Sequence, residues 1–137
     1  MRVRCVRAAR VVDGVALEDS PWIRIGAEYV VISLMMDSNR RAMLQVVDEA
    51  RPDPGWFDAE MFETTSTRIP PNWSARVRGT GVIEFAPARW LDDGFWERFY
   101  DDERVAVAVF REDLEVILSD SAFVDPHQGT GIEAPSG

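Results

Sequence analysis

The chain has no lysine: all fifteen of its basic residues are arginine. That excludes Schiff-base chemistry and a phosphate-cradling lysine. So complete a replacement has the look of a GC-rich bacterial genome rather than of selection at a site. Cys5 is alone, so no intrachain disulfide can form, as expected in a reducing, cytoplasmic compartment. His127 is the only histidine, and one cysteine with one histidine cannot build a structural zinc site. Positive charge is also scarce. Fifteen arginines against 24 acids give a net charge of −9 and a pI of about 4.6. Nucleic-acid binding needs a basic face to neutralise phosphates, so that partner class is excluded. The longest apolar run, 29–36, is broken by Ser33 and falls far short of the ~20 residues of a membrane span. No charged segment followed by an apolar run opens the chain, so neither a secretory signal nor a membrane partner is expected.

What is present suits one globular domain. The length of 137 residues fits a single unit, and 46% hydrophobic residues with five Trp and seven Phe supply an aromatic core. The alternation Arg2-Val3-Arg4-Cys5-Val6 predicts a first strand with Val3 and Cys5 inward. Asp13-Gly14 is a turn signal. The run 22–35 is rich in β-branched and aromatic residues, and Gly26 is expected to split it into two strands. Asp37-Ser38-Asn39 then turns the chain into a returning strand from Ala42 to Val47. Arg51-Pro52-Asp53-Pro54-Gly55 is expected to be a loop, because proline lacks a donor and glycine favours turns. Residues 56–62 lean to strand, continuing towards Thr67 until Pro70-Pro71 breaks it. In 73–78 the alternation puts Trp73, Ala75 and Val77 on one face. Gly79-Thr80-Gly81 is a tight turn into the strand 82–85.

The pattern changes at Pro87. Proline suits a first helical turn, Ala88-Arg89-Trp90-Leu91 predicts one short turn, and Asp92-Asp93-Gly94 stops it. Phe95 and Phe99 lie four apart, and Ala106, Phe110, Leu114 and Ile117 recur at helical spacing, so helix is preferred over a hairpin at 104–118. Asp101 or Asp102 is the expected cap. The tail 125–137 lacks periodicity and is expected to be disordered, leaving 1–124 as the domain. The fold class is therefore α+β, mainly β: a small twisted sheet or partly open barrel with a C-terminal helical segment. The stretch Ile25-Gly26-Ala27-Glu28-Tyr29-Val30-Val31 resembles the Gly-x-x-Tyr-Val edge of SH3-like barrels, making such a barrel one candidate.

Candidate chemistry is sparse. His127 sits in the tail without an orienting partner, and Cys5 is expected in the core, so no catalytic residue is assigned. Asp101-Asp102-Glu103 and Glu112-Asp113-x-Glu115 lack the spacing of a calcium loop, and no metal or cofactor is expected. The outstanding feature is charge. Residues 91–120 hold ten acids and three arginines, and aromatic residues are interleaved among them. Trp56 and Trp90 are the tryptophans expected to be exposed. Trp90, Asp92, Asp93, Glu97, Asp101 and Asp102 are the expected partner-binding residues, combining a buriable aromatic with steering charge. The leading expectation is a non-enzymatic acidic protein that covers a basic surface of a protein partner, as a cytoplasmic inhibitor or toxin immunity protein does. The alternatives are a small carboxylate-based hydrolase or lyase, and an accessory domain of a phage or secretion assembly.

Overall fold

A computed structural model describes residues 1–7, 11–12, 15–16, 23–48 and 51–122, with backbone alone at 11–12, 15–16 and 51–53. The tail 125–137, His127, Trp22 and the Asp13-Gly14 turn lie outside the described residues. Among the described residues, nine strands precede two α-helices: β1 Arg2–Cys5, β2 Val11–Val12, β3 Val15–Ala16, β4 Glu28–Met36, β5 Ala42–Asp48, β6 Arg51–Asp58, β7 Phe62–Ser66, β8 Trp73–Val77, β9 Ile83–Pro87, α1 Phe95–Tyr100 and α2 Arg104–Ser121. The main sheet is antiparallel and runs β6-β5-β4-β1-β7, with β9 joined to β4 and β8 to β9, while β2 and β3 pair separately.

The two ends of the main path, β6 and β7, do not pair. Among the described residues the sheet is open, not a closed barrel, and with the C-terminal helix it gives the expected α+β, mainly β class in its twisted-sheet form. Its curl is nonetheless strong, for the rings of Phe57 and Phe62 on those two end strands meet edge to face at 6.5 Å. Inside the curl lie Val3, Cys5, Tyr29, Val31, Leu44, Val46 and Met61. Val3 and Cys5 are thus inward as the alternation predicts, each 1% exposed. Outside it, Val30, Ile32, Val47 and Ala86 pack against Trp90, Phe95 and the α2 stripe Ala106, Phe110, Leu114 and Ile117. The helical spacing therefore marks the face that covers the sheet.

A bulge in β4 shifts its parity. Val31 faces Val46 and Leu34 faces Leu44. The two β4 residues are three apart while their partners are two apart, so one extra residue is inserted. Ser33 consequently points to the same side as Ile32 and hydrogen-bonds Gln45 at 2.6 Å. Leu34 joins the row inside the curl.

Three local expectations are corrected. Among the described residues, 23–25 form no strand ahead of Gly26. Residues 24–27 form a type II turn closed by Ala27 N–H to the Arg24 carbonyl, with Gly26 at φ 88° in the position that needs it. The Arg51–Gly55 stretch, expected to be a loop, is strand. It lies on the edge strand β6, where a proline can sit with its missing donor outward. Finally, α2 is entered through Glu103, with no side-chain cap. Asp102 has φ 58° and ends α1 instead. Glu103 N–H reaches the Arg98 carbonyl and Asp102 N–H reaches that of Phe99, a Schellman closure with Asp102 in the place usually held by glycine.

Candidate functional site

The acidic segment folds into the rim of the helical layer. Pro87 ends β9, and Ala88–Leu91 forms one 3-10 turn whose buried residues are Trp90 and Leu91. Trp90 is 1% exposed, so its expected exposure is corrected. Its ring stacks on Phe110 at 4.9 Å and on Phe95 at 6.4 Å, and meets Trp96 edge-on at 5.6 Å. The hydrophobic stripe of α2 claims the largest ring available, and burial of that area outweighs presenting it to solvent. Trp56 is more open, 37% exposed on β6.

The acids of the segment divide into two sets. Asp93 bridges Arg76 and Arg78 at 3.1 and 3.4 Å, and these arginines hold its carboxyl below the usual range. Arg76 also donates to the Leu91 carbonyl, which ties the rim to β8. Arg89 forks onto buried Asp113 at 2.9 and 3.2 Å and reaches Glu112. Glu103 pairs with Arg98 and Asp120 with Arg68. Asp92, Glu97, Asp101 and Asp102 are exposed and make no ion pair with any described residue. Of the expected binding residues, the structure leaves Asp92, Glu97, Asp101 and Asp102 exposed without an ion pair to any described residue, neutralises Asp93 and buries Trp90.

Tyr100 was not anticipated. Glu97 and Tyr100 on α1, with Asp101 at its C-terminal cap, follow at i, i+3 and i+4 and share one surface. Tyr100 is 62% exposed, with its ring 5.9 Å from that of Trp96. Partial burial raises its phenol pKa, so the hydroxyl stays a neutral donor and acceptor beside the acids. Its spacing from Glu97 was the signal available in the sequence. The rim thus offers an aromatic ring with a polar tip among uncompensated carboxylates.

Two apolar depressions lie elsewhere. One of about 350 Å³ is lined by Met1, Leu34, Ile69, Trp73, Ser74, Ala75 and Phe85. It sits where β4 passes from pairing with β1 at Glu28–Val30 to pairing with β9 at Leu34–Met36. The other, about 320 Å³, runs along α2 by Arg111, Glu112, Leu114, Glu115 and Leu118. Among the described residues, no group of three or more His, Cys, Asp or Glu side chains is placed to hold a metal ion, and no helix is long and apolar enough to cross a membrane. No family model, curated protein or solved structure matches the chain.

Proposed function

We propose that this is a non-enzymatic binding protein whose acidic rim covers a basic surface of a protein partner, in the manner of a cytoplasmic inhibitor or bacterial toxin immunity protein. The observation that carries this reading is the division of the acids. Five acids of the segment are matched to arginines and five are not: Glu115 on α2, and Asp92, Glu97, Asp101 and Asp102, which stand exposed along α1 and at its two ends, with Tyr100 among them. Uncompensated charge on a folded surface is costly through self-repulsion and useful for steering an oppositely charged partner. Tyrosine supplies contact area at low entropic cost, so Tyr100 takes the anchoring role expected of Trp90.

The test uses an arginine-rich peptide as a defined basic probe, followed by amide NMR. Shifts that cluster at 92–102 and weaken steeply with salt support the reading. The quadruple variant D92N/E97Q/D101N/D102N should lose at least tenfold in affinity with its circular dichroism unchanged. Shifts centred away from the rim, or unchanged affinity in the folded variant, overturn it.

A further inference from the structure

We infer that β8 is a self-pairing edge, and that two copies of this chain join through it about a two-fold axis at Ala75. Three observations converge on this strand.

The first is its backbone. Arg78 N–H donates to the Val82 carbonyl at the start of the turn between β8 and β9. Antiparallel alternation then points the N–H and C=O of Ser74 and Arg76 towards β9, and those of Trp73, Ala75 and Val77 outward; the Trp73 N–H already donates to the Pro70 carbonyl at 3.3 Å, which leaves the groups of Ala75 and Val77 and the Trp73 carbonyl for an incoming strand. Among the described residues β8 pairs only with β9, so these outward groups have no strand partner. Natural proteins guard such edges with proline, charge or cover. The edge strand β6 carries Pro52 and Pro54; β8 carries no proline, and its one charged residue, Arg76, is matched by Asp93.

The second is the side-chain register. A row of paired residues crosses the sheet on the face inside the curl: Phe57, Leu44, Leu34, Phe85 and Ala75. The next row holds Ala42, Met36, Ile83 and Val77. Both are wholly apolar, yet β8 lies beyond the curl that would cover them. Val77 is 72% exposed, the most of any large hydrophobic residue described. Pairing β8 with itself at Ala75 sets Val77 against Trp73 of the second copy, twice, and Ala75 against Ala75. On the other face Arg76 meets Ser74. No like charges lie directly opposed.

The third is charge. On a chain of net charge −9, the flank of β8 is locally neutral. Arg76 and Arg78 are matched by Asp93 and Glu84 at 2.7 to 3.4 Å. This is a surface where two copies can approach without opposed charge. Each hydrogen-bonded pair on the axis is self-complementary, a match that a different protein would have to imitate and a second copy supplies by symmetry.

Sedimentation velocity of the full chain from 10 to 500 μM tests this. The expected result is a concentration-dependent shift to twice 15.5 kDa, which strengthens as salt screens the repulsion of two acidic chains. V77K should raise the dissociation constant at least tenfold while leaving the melting temperature of the monomer unchanged. A75C fixes the register. Hydrogen-bonded antiparallel pairs sit about 5.5 Å apart, within disulfide reach, so A75C should cross-link at least tenfold faster than S74C under mild oxidation. A monomer throughout the range overturns the inference. So does a dimer that weakens with salt, one insensitive to V77K, or equal cross-linking of the two cysteine variants.

Discussion

Replacing Trp90 separates a core role from a surface role. A large aromatic side chain buries up to about 250 Å², which at about 25 cal/mol/Å² is at most ~6 kcal/mol. Measured truncations of buried aromatics to alanine cost about 3–5 kcal/mol. Trp90 is 1% exposed and stacked between Phe95 and Phe110, so W90A should lose about 4 kcal/mol. Whole domains are stable by only about 5–15 kcal/mol, so this variant lies close to the limit of folding. W90F is the informative partner. It gives up ~1–2 kcal/mol of area. It also deletes an indole N–H that is buried without a hydrogen-bond partner among the described residues, and a donor left in that state costs ~1–3 kcal/mol. The two effects nearly cancel, so W90F should fall within about 1 kcal/mol of the parent. Urea titration followed by circular dichroism at the helical band reads both variants. A surface tryptophan would change stability by no more than about 0.5 kcal/mol in either variant. Stability that small in W90A would refute the placement of Trp90. Equal damage in W90A and W90F would refute the account of the unpaired N–H.

Three further outcomes follow from particular contacts. D113A, which removes the acceptor of the Arg89 fork but leaves an arginine 47% exposed to water, should cost ~1–3 kcal/mol in the same titration; no loss would make the fork dispensable. At position 102 the order of stability should be glycine over aspartate over alanine by thermal unfolding, because φ is 58° there, and alanine at the top would refute the Schellman role. The Thr65 hydroxyl, then Arg2 and Arg4, hold the Glu28 carboxyl below its usual range. A depressed folded value stabilises above the unfolded value and is lost as pH falls through the folded one. E28Q should therefore cost stability at pH 7 and none at pH 2, and an equal cost at both would show that charge is not the cause.

Period and turn chemistry carry much of the fold in the sequence. Val3 and Cys5 alternate into the core, Asp37-Ser38-Asn39 turns β4 into β5, and the spacing of Ala106, Phe110, Leu114 and Ile117 marks the covering face of α2. Failures occur where tertiary context overrides a local rule. Proline reads as a loop until an edge strand gives it a place without a ladder donor, as at Pro52 and Pro54. Asp102 reads as the start of a helix because aspartate is a good cap, yet it ends the preceding one by adopting a left-handed conformation. Trp90 reads as exposed beside acids because charge is visible in sequence and the stripe that buries the ring, from Phe95 to Phe110, is assembled only in three dimensions.

The bulge of β4 explains why the apolar flank of β8 is invisible to pattern reading. Strict alternation from Tyr29 and Val31 would continue to Ser33 and Met35 on the inner face, leaving Leu34 outside. The inserted residue reverses this, so that Leu34, and through it Phe85 and Ala75, continue the inner row beyond the curl. Without the bulge, Ser33 would face inward, and so would Met35 with its row partners Glu84 and Arg76, so the flank of β8 would be polar. One extra residue in β4 therefore does two things at once. It hides the Ser33–Gln45 pair under the helical layer, and it extends the core's apolar face onto a strand whose outer edge is unpaired among the described residues. The acidic rim and this neutral apolar edge meet at Arg76, which salt-bridges Asp93 and sits on β8 itself. Asp93 also bridges Arg78 just past the end of β8, so the rim and the edge are tied to one another through two arginines.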